Sequence, residues 1–215
     1  MTYRPLFPAG AAALSLALLL AACGGGPVQP DWQNDAHQSL ESFSAAYLRG
    51  NSRVAEAAFK RARDELARTG RFDLVARAEL VRCGVQVAIL EMNDCPGFAA
   101  LAPDTSAAER AYADFLLGKS TDTALLPPQY RAVATGDLAG IEPPLSRLIA
   151  AGVLLRSGRL DPAGIALAVE TASAQGWRRA LLAWLEIQAR QAEAGGDRDA
   201  ASTARRRAEL VGGSR

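Results

Sequence analysis

The sequence predicts an all-α protein, on three observations. Alanine, leucine, glutamate and arginine are abundant, and these residues give up little freedom in a helix. Runs of β-branched residues are scarce. From Gln33 onward, apolar residues recur at three- and four-residue spacing, in stretches that end at glycine or asparagine and often begin at Ser, Asp or Pro. Each stretch therefore carries an apolar stripe on a short helix, and tight turns join the helices.

The chain opens on a different pattern. Arg4 precedes an uncharged stretch from Pro5 to Ala22 with Leu14, Leu16, Leu18, Leu19 and Leu20 at its centre. A short basic region followed by an apolar run is the pattern of a secretory signal peptide. A membrane-crossing helix needs about 20 apolar residues, and this run is marginal for that. It ends in Leu20-Ala21-Ala22-Cys23, which resembles the lipobox of bacterial lipoproteins. The resemblance implies cleavage before Cys23, thioether lipidation of that cysteine and acylation of the new amino terminus. An ordinary cleaved signal and an uncleaved anchor are the alternatives. On this reading residues 1–22 are the signal, and residues 23–31 are the lipidated cysteine and its Gly/Pro tether. Residues 32–215 are the helical domain. Gly24 follows the cysteine where an aspartate could stand. Similarity to Gram-negative lipoproteins then implies the outer membrane, with the domain facing the periplasm.

The first helix is expected from Gln33 to Arg49, with Ala36, Leu40, Phe43 and Tyr47 on one face and Gly50 closing it. The second runs from Ser52 to Thr69 with Ala55, Ala58, Phe59, Ala62 and Leu66 inward. The third, Phe72 to Met92, carries two apolar stripes, so neighbours should pack on both sides. Ser106-Ala107-Ala108-Glu109 reads as a capping box opening a helix that stops at Gly118. Residues 120–126 read as loop, and Pro128 starts a short helix ending near Gly136. Pro143-Pro144 opens a helix to Gly158, and Asp161-Pro162 opens one to Gly176. Trp177 to Ala194 follows, and Asp197 caps a last helix with Ala201, Ala204, Ala208 and Val211 on its small-residue face.

Two of these helix pairs, Gln33 to Thr69 and Trp177 to Val211, resemble tetratricopeptide repeats, whose period near 34 residues encodes two antiparallel helices. Gly50, Ala55, Phe59 and Ala62 match that family's turn glycine and second-helix pattern, and Gly196, Ala201 and Ala208 match in the last pair. Phe43 and Arg205 depart from it, and the middle helices do not keep the period. The architecture is expected to be antiparallel helix pairs, in a TPR-like superhelix or an irregular bundle.

Charge and chemistry narrow the function. Beyond the signal, 23 Lys plus Arg face 23 Asp plus Glu, a balance that does not point to nucleic acid. Cys83 and Cys95 are an even pair in a chain read as exported, hence a disulfide candidate, with two free thiols as the alternative. His37 is the only histidine, which rules out a His-Glu-x-x-His zinc site, and no Gly-x-Ser-x-Gly elbow accompanies it. No metal or cofactor is expected. Gly118-Lys119-Ser120 follows a helix, whereas a phosphate loop precedes one. Glu91, Asp94 and Glu170 form no local carboxylate pair of the kind glycoside hydrolysis needs. Trp177, Arg178 and Arg179 open a helix with a ring and two charges that the apolar periodicity does not require. They are the candidate partner-binding residues, against a packing role for the tryptophan and solvated arginines.

The function expected is a membrane-anchored lipoprotein acting as a protein–protein interaction or scaffolding module. It would be held to the lipid bilayer through acylated Cys23, with an envelope protein as partner. A peptidoglycan-active enzyme or its regulator, and a structural lipoprotein without a dedicated ligand, are the alternatives.

Overall fold

Glycine sets most of the helix ends. The computed structural model describes residues 30–213; Cys23, the signal segment and the tether up to Gln29 lie outside the described residues. The α-helices are α1 (Asp31–Arg49), α2 (Ser52–Ala67), α3 (Phe72–Ala88), the single turn α4 (Pro96–Ala99), α5 (Ala107–Leu116), α6 (Pro144–Arg156), α7 (Pro162–Ala174), α8 (Arg178–Ala194) and α9 (Arg198–Gly213). Tighter 3-10 segments lie at Ala102–Asp104, Thr123–Leu125 and Pro128–Thr135. No strand occurs among the described residues. The protein is all-α.

At Gly118 and Gly158 the backbone turns left-handed, with φ of 71° and 67°. The amides beyond them reach back to orphan carbonyls, Lys119 N–H to Asp114 O and Arg159 N–H to Leu154 O. This is the closing bond pair of a Schellman cap, which glycine adopts without a Cβ penalty. At the other ends, the Ser106–Glu109 capping box forms in full, and Asp161 Oδ1 accepts from Gly164 N–H at 2.7 Å.

Two expectations about element ends change. α3 stops at Ala88, not Met92, because Leu90 takes the left-handed turn itself, with φ of 66°. Glu91 N–H then bonds back to Gln86 O at 2.9 Å. A leucine in that conformation costs roughly 1–2 kcal/mol, so nothing in the local sequence announces the stop. The segment after Pro128 is a 3-10 helix, and the stretch before it contains a 3-10 turn capped by Asp122.

The predicted stripes meet in one core. Phe43 of α1 packs on Phe59 of α2 with ring centroids 5.1 Å apart, and Ala55, Ala58 and Ala62 are fully buried beside it. α3 is buried on both sides, with α2 on one and α5 and α6 on others. α6 approaches it so closely that a Cβ on Gly152 would lie 2.5 Å from the Val87 carbonyl oxygen. From α6 onward each helix packs on the next, and α8 and α9 close together over Ala189, Ala192, Ala201 and Ala204.

α8 also returns to the beginning. Trp184 is fully buried, and its indole N–H donates to Ala88 O at 3.0 Å. The core cluster is drawn wholly from residues 36–185, within the compact unit Trp32–Arg215.

Candidate functional site

The capping box that starts α5 also builds the wall of a cleft. Glu109 at its third position accepts from Ser106 N–H at 2.8 Å with one oxygen and from Arg77 of α3 with the other. Burial pushes this carboxyl up, but the Arg77 guanidinium and the Ser106 N–H and hydroxyl outweigh it, leaving Glu109 below the usual carboxylate range. The pair pins α5 against α3.

One turn further, Tyr112 stacks on Tyr130 with centroids 5.5 Å apart and planes 20° from parallel, and Phe115 packs on Tyr130 at 5.0 Å. Pro127-Pro128 deliver Tyr130 to this position at the start of the 3-10 segment. Ser146 of α6 lines the same cleft as the two phenols. Burial raises the pKa of both phenols, that of Tyr112 well above the ordinary value.

Over this floor lies an open cleft of about 1030 Å³, at the upper end of the size usual for small-molecule sites. Its sides come from α1, α3, α5, the 126–131 segment and α6. They are largely apolar, with Leu80, Val81, Leu126, Leu145 and Ile149 prominent. Two acidic groups on its rim have a basic neighbour. His37 lies 3.3 Å from Glu41, and Arg77 holds Glu109. Arg131 gives its Nε–H to Leu126 O at 3.1 Å, and among the described residues no carboxylate is paired with it. The cleft therefore presents largely apolar walls, with Arg131 among its lining residues. No family model, curated protein or solved structure matches this chain.

The sequence-derived candidates are spread around the fold. Cys83 and Cys95 are joined as a disulfide, with Cα atoms 5.4 Å apart, which ties the chain after the Leu90 turn back onto α3. Trp177, Arg178 and Arg179 do not line the cleft. Trp177 is half-buried against the core. Arg178 donates to Val211 O at 3.0 Å and Gly212 O at 2.7 Å, at the C-terminal end of α9. Arg179 lies over the Tyr47 ring, 4.7 Å from its centroid, and donates to Ser52 Oγ. Both arginines are therefore engaged within the chain.

Of the carboxylates weighed for hydrolysis, Glu91 accepts from Tyr47 and Asp94 from Arg156. Among the described residues no three His, Cys, Asp or Glu side chains are grouped to hold a metal ion, and no helix is long and apolar enough to cross a membrane. The cleft residues Tyr112, Tyr130 and Arg131 are missing from the sequence-derived set. Tyr112 sits on a stripe that reads as core, and the Pro127-Pro128 pair that positions Tyr130 was the available signal.

Proposed function

We propose that the chain is a bacterial envelope lipoprotein, anchored through acylated Cys23 at the periplasmic face of the outer membrane, whose helical domain is a binding module. The apolar cleft over Tyr112 and Tyr130 is its site. The observation that carries this reading is the cleft's composition. Broad apolar walls, with the Glu109 carboxylate held by Arg77, suit capture by shape and desolvation. They do not suit acid–base chemistry, which needs a poised carboxylate or imidazole aimed at a reacting atom.

Two experiments test the two halves of the proposal. Replacing Cys23 by Ala should abolish metabolic lipid labelling and membrane fractionation; unchanged labelling refutes the anchor. For the site, a photo-crosslinking residue placed at Leu145 in the cleft, or at Arg61 on α2 away from it, is expressed in the full lipidated protein in cells. Adducts should form from position 145 and not from position 61. Equal yield from both, or none from the cleft, overturns the assignment of the site.

A further inference from the structure

We infer that the occupant of the cleft is the acyl chain of a long-chain fatty acid taken from the adjoining bilayer, with its carboxylate on Arg131. This rests on the binding-module reading above and names its ligand.

Three observations carry it. The first is what the walls offer. The walls are largely apolar, and the Glu109 carboxylate among them is occupied by Arg77 and Ser106. Pro127, Pro128 and Pro143 line the cleft and have no N–H to give. An extended peptide entering here would bury amides and carbonyls without partners, a heavy penalty for each group. An acyl chain has no polar group along its length.

The second is charge. Arg131 is among the residues lining the apolar cleft, and among the described residues no carboxylate is paired with it. That is the layout of an anionic amphiphile, tail in and head out.

The third is reach. Seven residues, hence eight Cα-to-Cα steps, separate Cys23 from Asp31. Whatever their conformation they span at most about 28 Å. His37, at the cleft edge, is six residues into α1, about 9 Å further. A lipidated Cys23 therefore keeps the mouth of the cleft within about a membrane thickness of the bilayer surface, where single-chain amphiphiles partition.

Titration calorimetry on Trp32–Arg215, with its disulfide oxidised, tests this using decanoate, dodecanoate and tetradecanoate below their critical micelle concentrations. Each additional methylene should tighten binding about fourfold while it is buried. Ala108 is exposed and lines the cleft, so Ala108→Trp should fill it without disturbing the core and weaken dodecanoate at least about tenfold. Leu125→Glu, at a second exposed wall position, should do the same by placing a carboxylate in the trough. Arg131→Glu should weaken dodecanoate about fivefold to tenfold, keep the chain-length dependence, and improve binding of dodecyltrimethylammonium.

Absence of binding, absence of chain-length dependence, or indifference to both Ala108→Trp and Leu125→Glu in folded protein overturns the inference. The cross-linking experiment at position 145 separates this failure from that of the underlying reading. Adducts carrying a protein segment, with no fatty acid, reject the acyl ligand and leave the binding module standing. Absence of any adduct from the cleft rejects both.

Discussion

Removing Arg178 and Arg179 decides between two roles for the same side chains. The sequence offers them as surface charges for a partner, in which case truncation changes stability by only about ±0.5 kcal/mol. The structure gives each an internal contact. Arg178 supplies two charge-assisted hydrogen bonds to Val211 O and Gly212 O. Such bonds contribute about 1.5–3 kcal/mol each where water is excluded, but this helix end is partly solvated, so the two together are worth about 1–2 kcal/mol. Arg179 lies 4.7 Å from the Tyr47 centroid, a cation–π contact worth about 0.5–1 kcal/mol at a partly exposed site. The double replacement Arg178→Ala, Arg179→Ala should therefore cost about 1.5–3 kcal/mol. For a domain of this length that lowers Tm by roughly 3–12 °C. Thermal unfolding followed by circular dichroism measures it, and hydrogen exchange locates it. Arg178→Ala should speed exchange in the last turn of α9, and Arg179→Ala in the α1–α2 turn around Asn51. A double variant that melts within about 1 °C of the parent, with unchanged exchange, refutes the structural role and returns both arginines to the surface.

Replacing Cys83 and Cys95 together by Ala opens a loop with a sequence separation of 12, which in the chain-entropy model costs about 3 kcal/mol; mass spectrometry of the non-reduced protein should find the two peptides linked, and free thiols on both would contradict the bridge. Gly152→Ala puts a Cβ 2.5 Å from Val87 O; despite about 1 kcal/mol of helix propensity gained, overpacking against backbone should give a net loss of about 1–2 kcal/mol, and a variant melting above the parent shows that α3 and α6 separate easily. Glu109, held below its ordinary pKa, contributes stability that is complete above the unfolded value of about 4.3 and is lost as pH falls through its lower folded value. Glu109→Gln should flatten that part of the acid limb of a urea-denaturation pH series, and an unaltered limb would show that the Arg77 pairing does not contribute to folding.

The sequence by itself determined most of what is local. The Gly50, Gly118, Gly158, Gly176 and Gly196 stops, the Ser106 box and the Asp161-Pro162 start stand where the residue pattern puts them. Each of those devices closes through bonds between residues at most five positions apart, so the information lies in the same short window as the element it ends. The stripe on α2 is likewise the face that is buried. Where a stop used a leucine in place of a glycine, at Leu90, the window held no sign of it.

Tertiary structure decided the rest. It chose Val211, Gly212, Ser52 and Tyr47 as the partners of Arg178 and Arg179, at separations of 33 to 132 residues. It also assembled the cleft from residues spread between His37 and Ile149. An apolar stripe states only that a helix face will be covered. Which neighbour covers it, and where the covering stops short and leaves a trough, depends on how closely helices can approach. That is set by pairs such as Gly152 against Val87 and Trp184 against Ala88, which are distant along the chain and adjacent only once it has folded.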